Sequence, residues 1–374
     1  MSDNIDAWLI LLRTPGFGPA AVRERLAAAD GDIQAALAQA KRQNTRHEAA
    51  RAWLRQPDAS VLAADRAWLA QPGHRLLCCD EADFPPQLET IDKPPAALFV
   101  AGRAELLLYP QVAIVGSRSA TSGGLATARR FAQVLGSAGF VITSGMADGI
   151  DGAAHTAALA ADLPTVAVIG TGVDKVYPRK HQDLARQIAA RGAMVSEFPL
   201  GTSARAEHFP QRNRIISGLS LGTLVIEADL CSGSLITARL AAEQAREVFA
   251  VPGSIHNPLA RGCHKLIRDG ARLVETVDEV TQILAPAART LGLELNERLE
   301  RAGASPVAAS GWRGDPQYDA LLQALGYDPA DMDDLVGRTG QSASALSSML
   351  LMLELEGLVE SLVGNRFQRL PEAG

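Results

Sequence analysis

Lysine is scarce in this chain: of 36 basic residues among 374, five are lysine and the rest are arginine. Aromatic side chains make up only 5% of the sequence. Four cysteines form no Cys-x-x-Cys pair, and seven scattered histidines include no His-Glu-x-x-His run and no cluster at metal-ligand spacing. These absences exclude a disulfide framework and a zinc site, so no metal and no cofactor is expected. Cys78 and Cys79 lie in an apolar run that reads as core. No stretch approaches the 18 apolar residues of a membrane span. The first residues carry Asp3 and Asp6 and break at Pro15, unlike a leader, so a cytoplasmic location with no membrane contact is expected.

What is present suits a globular protein of two or three domains, with 47% hydrophobic residues to build its core. The net charge of −6 argues against diffuse adhesion to nucleic acid, so any polyanion site must be local. Charge is indeed uneven: residues 111–275 hold 17 basic against 13 acidic residues, and the remainder hold 19 against 29. The bias to arginine suits bidentate phosphate contacts, although genome composition explains it equally well.

Residues 1–75 read as short alanine-rich helices, with "LLRTPGFGPAAVRERL" giving a helix, a glycine turn and a helix. The turn is similar to those of helix-hairpin-helix modules, whose amides grip phosphate, and it reads equally as a tight turn between packed helices. Residues 76–285 form the main domain, led into by a connector over 76–110 whose prolines forbid a helix. From Gln111, short apolar runs such as "QVAIVGS", "FVITSG", "TVAVIG", "AMVSEF", "TLVIEA" and "EVFAVPG" alternate with helical segments. That alternation predicts an α/β, doubly wound, Rossmann-like parallel sheet with ligands at the carboxyl ends of its strands. Residues 286–316 lose the rhythm and read as a linker. Residues 317–374 read as three helices and a hairpin, the order of a winged helix, with Ser342 or Ser344 as a helix cap.

Three strand ends run through small polar residues into helix starts: Gly116-Ser117-Arg118, Ser144-Gly145-Met146 and Ser232-Gly233-Ser234. Each can bind an anion, because glycine lets the backbone approach while free helix amides and hydroxyls donate. Dinucleotide binding is disfavoured, since the second strand ends in "ITSGMADG" without the acid that would hold a ribose, and no Walker motif occurs. The segment "HFPQRNRIISGLS" crowds Phe209, Arg212, Asn213 and Arg214 at a helix start, where cations are unfavourable unless an anion lies between them. A phosphate would supply that anion, and Phe209 a ring on which a base stacks for roughly 1–3 kcal/mol without choosing sequence. The competing reading pairs the arginines with Glu197 or Glu227 and puts Phe209 in the core. Lys175, Arg179 and Lys180 extend a phosphate track or decorate a solvated loop shaped by Tyr177 and Pro178. Asp151 and His155, four residues apart, read as a cap and a packed histidine rather than an acid–base pair.

The segments "VAIVGSRSATSGG", "VITSGMADGIDGAAH", "GTGVDKVYPRKHQDL", "HFPQRNRIISGLS" and "EADLCSGSLITARLAAEQAR" resemble, in order and spacing, the DNA-processing protein A family (DprA/Smf) over residues 80–275. The resemblance implies a cytoplasmic bacterial protein that is not an enzyme, dimerises through its α/β domain and binds single-stranded DNA. It further implies a role in natural transformation, protecting incoming strands and helping to load the RecA recombinase. By the same resemblance Arg118 grips a backbone phosphate, Phe209 meets a base, and Arg212 and Asn213 line the same pocket. One departure stands out. Some relatives carry a lysine three residues before the phenylalanine, where this chain has Ala206 beside Glu207, and Arg205 is the nearest substitute. The alternative from another class is a nucleotide-processing enzyme of the nucleoside-monophosphate phosphoribohydrolase type. The last helical segment, "SASALSSMLLMLELEG", has no arginine or lysine, which suits a protein-contact or regulatory role better than a helix laid in a DNA groove.

Overall fold

The structure is a computed structural model that describes residues 2–43, 47–301, 316–355, 357–362 and 366–370. Five helices come first: α1 (Ser2–Arg13), α2 (Pro19–Ala28), α3 (Ile33–Arg42), α4 (Glu48–Arg55) and α5 (Ala59–Leu69). Asp32 and Asp58 begin α3 and α5 by accepting the amides two and three residues on. The Pro-Gly-Phe-Gly turn joins α1 to α2 with Gly16 at φ +80°, and Arg25 lies 3.9 Å over the Phe17 ring. The helices are not a free-standing module. Leu9, Leu11 and Leu37 share one apolar cluster with Leu76, Ala97 and Phe99 of the sheet, and Arg13 pairs with fully buried Asp65 at 2.5 Å while donating to Leu200 O at 3.0 Å.

The sheet domain runs β1 (His74–Cys78), α6 (Pro86–Glu89), β2 (Ala97–Gly102), β3 (Gln111–Gly116), α7 (Ser122–Ser137), β4 (Val141–Ser144), α8 (Ile150–Ala160) and β5 (Thr165–Val168). It continues with α9 (Gln182–Arg191), β6 (Ala193–Ser196), α10 (His208–Leu219), β7 (Gly222–Ile226), α11 (Gly233–Glu243), β8 (Glu247–Ala250), α12 (Arg261–Arg268), β9 (Arg272–Leu273) and α13 (Val277–Arg301). The strand order is β1-β2-β6-β5-β4-β3-β7-β8-β9 among the described residues. From β6 to β9 neighbours are parallel, whereas β1 and β2 are antiparallel additions at the β6 edge. The doubly wound fold is as the alternation predicts: the apolar runs are buried on both faces, one under Ile215 and Leu219 of α10, the other under Phe131 and Leu135 of α7.

Two segments differ from the sequence reading. The proline-rich connector holds a one-turn helix, α6, because Pro86 occupies its first position, where no amide bond is lost. More of it enters the sheet than expected, as β1 and β2. The linker expected at 286–316 is helical as far as Arg301, since α13 carries Val277, Val280, Leu284, Ala288 and Leu291 at three- and four-residue spacing against the sheet cluster. That stripe runs through Pro286, which masked it in the sequence. The rest of that stretch lies outside the described residues.

The last unit comprises α14 (Pro316–Leu325), β10 (Ala330–Asp331), α15 (Met332–Thr339), α16 (Ala343–Leu355), β11 (Val359–Leu362) and β12 (Arg366–Arg369), with sheet order β10-β12-β11. It is a winged helix around Leu321, Leu335, Leu346, Leu350 and Leu353, and Ser342 Oγ accepts from Ala345 N at 3.3 Å at the start of α16.

The Arg13–Asp65 pair ties α1 to α5 and to the loop after β6, so Asp65→Ala leaves a largely buried guanidinium uncompensated. We expect a loss of about 3–5 kcal/mol in urea unfolding. A change below about 1 kcal/mol would mean that the helices are held by apolar contact alone.

Candidate nucleic-acid interface

Strand β3 is parallel to β4 on one side and β7 on the other, so the chain order reverses there and a crevice opens at the carboxyl ends of β3 and β7. Closeness at this point requires Gly116, whose Cβ would lie 1.9 Å from Ile226 O. The crevice is an open groove lined by Gly116, Ser117, Arg118, Arg205, Phe209, Arg212, Asn213, Ser232, Gly233 and Ser234. Ten of the residues named from sequence thus meet in one place, although they are spread over three strand ends and a helix.

Arg118 is exposed and, among the described residues, has no ion pair. Its Cζ lies 5.9 Å from the centre of the Phe209 ring. Phe209 is half-buried in the first turn of α10, and Gly170 makes room for it, since a Cβ there would sit 3.2 Å from Phe209 Cδ1. Tyr177, named from sequence only as a loop-shaping residue, adds a second ring 5.5 Å from that of Phe209 at 45°. The signal available was an aromatic side chain inside a basic loop.

The remaining arginines of the segment have other duties. Arg212 is buried; its Nη1 donates to Gly145 O at 2.8 Å and also to Val168 O, and its Nε to Asn213 Oδ1 at 3.2 Å. Asp151 balances its charge and accepts the amides of Gly145 at 3.1 Å and Ala147 at 3.4 Å. Burial pushes the Asp151 carboxyl up, opposed first by the Arg212 charge, and pushes Arg212 down to about 10, opposed by Asp151. Arg212 therefore serves the frame, and only its edge reaches the groove. Arg214 points elsewhere and pairs with Glu197 at 2.6 Å, both nearly buried, so it leaves the set of DNA-facing residues. Glu227 partners neither arginine.

The three helix starts read as anion sites also divide. At α7 the slot is filled by Glu227, which accepts from Thr121 N at 2.7 Å and Thr121 Oγ1 at 2.5 Å. At the turn before α8 it is filled by Asp151. Ser144 is buried and donates to Ile114 O at 2.6 Å; Met146 is buried, and its carbonyl accepts from His181 Nδ1 at 3.0 Å. Neither side chain can meet a strand. At α11, Ser232 Oγ accepts from Ser234 N at 3.4 Å, and exposed Gly233 has open space around its Cα. Lys175 is exposed but lies outside the groove. Arg205 is exposed with Glu207 4.0 Å away, a separation at which a solvated pair holds the guanidinium only weakly.

Beneath the groove, His155 is fully buried, with Nδ1 donating to Thr165 Oγ1 at 2.7 Å and that hydroxyl donating to Ile142 O at 2.6 Å. Burial, with the charges of His181 and Arg212 adding, lowers its pKa from 6.5 to about 3. Between those values the unfolded chain binds a proton that the fold does not. The contribution is fully present above about pH 6.5 and is lost as pH falls toward 3. Asp151 acts in the opposite sense, its folded pKa being raised, so the difference between two proteins isolates the histidine. We expect His155→Gln to flatten the stability slope between acid and neutral pH by up to about 1.4 kcal/mol per pH unit. Urea titrations across that range test it, and an unchanged slope would show that the imidazole ionises in place.

Residues 75–285 match the family model described as DNA recombination-mediator protein A, and residues 303–365 match the one described as DprA winged helix domain. Among curated proteins, Protein Smf of Escherichia coli is 40% identical over 319 residues, 85% of this chain and 79% of that one. The crystal structure of DNA processing protein A from Streptococcus pneumoniae superposes with a TM-score of 0.65 at 34% identity, covering 74% of this chain and 97% of the other. DNA processing protein A from Helicobacter pylori, a protein with a described single-stranded DNA binding mode, superposes with a TM-score of 0.52 at 27% identity over 57% and 97% of the two chains. This chain belongs to the DNA recombination-mediator protein A family.

Proposed function

We propose that the protein binds single-stranded DNA in the groove at the β3–β7 switch point and acts as a recombination mediator in natural transformation. The carrying observation is an exposed Arg118, with no ion pair among the described residues, set 5.9 Å from the half-exposed Phe209 ring in that open groove. A guanidinium there holds a backbone phosphate while the ring receives an unstacked base, and a duplex keeps its base faces inside. The single-stranded DNA binding mode of the Helicobacter pylori relative supports the same reading. From the family likeness we further propose that the protein has no catalytic activity, is cytoplasmic, pairs through its α/β domain, protects incoming strands and helps load the RecA recombinase on them. The nucleotide-processing alternative has less support, because Asp151 and His155, the nearest acid–base candidates, are buried and engaged within the frame.

The winged helix is proposed as a protein-contact module. Four buried residues of α16 belong to its core, Arg369 rests 5.2 Å over Tyr327, and Glu354 pairs with Arg289 of α13.

Titration with labelled oligonucleotides should show tighter binding to single strands than to duplexes of equal length. Each phosphate contact should add roughly 0.7 to the logarithmic salt slope, and equal affinity for duplex would overturn the proposal. Arg118→Ala should weaken binding by about 1.5–3 kcal/mol without altering thermal stability. Phe209→Ala should lower affinity yet leave the salt slope unchanged, and unfolding of that variant would assign the ring to the core. Removing residues 317–374 should change affinity by no more than a few-fold. A tenfold loss, about 1.4 kcal/mol, would bring the wing into the DNA site.

A further inference from the structure

The residues of the groove belong to the sheet domain, yet the loop that leads into α10 is held from outside that domain. Residues 197–207 join β6 to α10, and Phe209 stands in the first turn of the helix. Arg13 of α1 reaches this loop: the guanidinium that pairs with fully buried Asp65 also turns Nη2 to Leu200 O at 3.0 Å. Leu200 itself packs, with Val173 of the loop after β5, against the apolar cluster that the N-terminal helices share with the sheet. We propose that the N-terminal helices position the strand-binding groove and that Arg13 is the positioning residue. The proposal rests on the single-strand reading and adds to it a hold, exerted from a distance, on two rings of the groove.

From Leu200 the restraint runs two ways. Toward α10, Phe198 stacks on His208 with ring centres 4.1 Å apart and planes at 22°, and His208 Nδ1 donates to Gly170 O at 3.2 Å. His208 immediately precedes Phe209. Glu197, at the head of the same loop, pairs with Arg214 further along α10 at 2.6 Å. Toward the other ring, Gly201 N donates to Asp174 Oδ1 at 2.8 Å and Gly172 N to Thr202 O at 3.0 Å. Thr171 Oγ1 then closes the loop after β5 on Lys175 O at 2.6 Å, two residues before Tyr177. One loop thus carries the position of α1 to Phe209 and Tyr177, both of which line the groove.

The hold is a firm one. A hydrogen bond from a charged donor is stronger than a neutral one, and the fork of Arg13 is fixed by two contacts to Asp65, at 2.5 and 2.6 Å, before it reaches Leu200. A second pair, Arg66 with Asp6 at 2.8 Å, joins α5 to α1 as well, but it is solvated and both its partners lie within those helices. It binds helix to helix without touching the loop, which makes it a matched control.

The test measures single-strand affinity of the full chain by fluorescence anisotropy, beside stability in urea. Arg13→Met combined with Asp65→Leu keeps the net charge and leaves no buried charge behind, an exchange that is often neutral for stability. It removes the donor to Leu200 O, and affinity should fall about fivefold, the scale of one hydrogen bond. Arg66→Ala combined with Asp6→Ala, equally neutral in charge, should leave affinity unchanged. A loss transmitted through a ring shrinks once that ring is gone, so in a Phe209→Ala background the same pair replacement should weaken binding by only about twofold. Unchanged affinity in the pair replacement, an equal loss in the Arg66 and Asp6 control, or a loss that adds in full to that of Phe209→Ala would each overturn the proposal. If the pair replacement does not fold, Leu200→Ala trims the seat of the loop on the helices without a change of charge. It should weaken binding several-fold, and unmodified affinity there would overturn the proposal equally. A strand bound alike by the unmodified protein and the pair replacement removes only the hold of Arg13, whereas no strand binding by the unmodified protein removes the single-strand reading itself.

Discussion

A guanidinium cannot be buried without partners, and the way Arg212 is satisfied organises the groove. An unpaired buried charge is unfavourable by several kcal/mol. Arg212 escapes that penalty by donating to the carbonyls that end β4 and β5, Gly145 and Val168, and by facing Asp151 of α8, which collects the next amides of the turn. One side chain of α10 thus fixes two strand ends and a second helix. Glycine is required at 145, where a Cβ would lie 2.6 Å from Arg212 Nη2. Phe209 lies three residues before Arg212, on the same side of α10, so the buried arginine sets where the half-buried ring stands.

The carboxylates of the frame also decide where an anion can bind. Helix starts attract negative charge through free amides and dipole, and here Glu227 and Asp151 already occupy those positions at α7 and before α8. In the proposed reading, phosphate recognition in the groove therefore falls on side chains that the frame leaves available, Arg118 and Arg205, and on the open start of α11. The chain as a whole is acidic, at −6, so its attraction for a polyanion is short-ranged and confined to the groove. In the proposed reading a strand is drawn in by contact at that groove, with little help from the distant field.

The sequence made the sheet legible because a parallel strand buried on both faces needs an apolar run, and glycine marked the switch point because nothing larger fits between β3 and β7. It pointed to Arg118 through the glycine turn after β3 and to Phe209 through the arginine-crowded start of α10, and both residues line the groove. What it could not separate was Arg212 from Arg214. Two residues apart on a helix lie about 200° around its axis, so both cannot face one groove, yet their shared abundance beside a helix start pointed to phosphate for both. Tertiary acids chose between them: Asp151 drew Arg212 inward and Glu197 drew Arg214 aside. Helix α13 was hidden by Pro286, whose local cost is outweighed by a stripe of buried aliphatic side chains that only the sheet beneath it reveals.

The same division of labour separates a strand binder from a mononucleotide enzyme on a similar sheet. Hydrolysis of a nucleotide needs an acid or base free to move a proton at a closed site. In this protein Asp151 and His155 spend their hydrogen bonds on turn amides and on Thr165, and the groove above them is open. The groups that do face it include the guanidinium groups of Arg118 and Arg205 and the rings of Tyr177 and Phe209, suited to holding a ligand by charge or face. A long polymer can profit from such a surface, because each nucleotide adds a modest contact and the sum needs no enclosure. A single small nucleotide has only one set of these contacts with which to offset its lost freedom. The openness of the groove therefore favours a strand over a mononucleotide, and the rigid polar frame beneath it keeps the exposed groups in register.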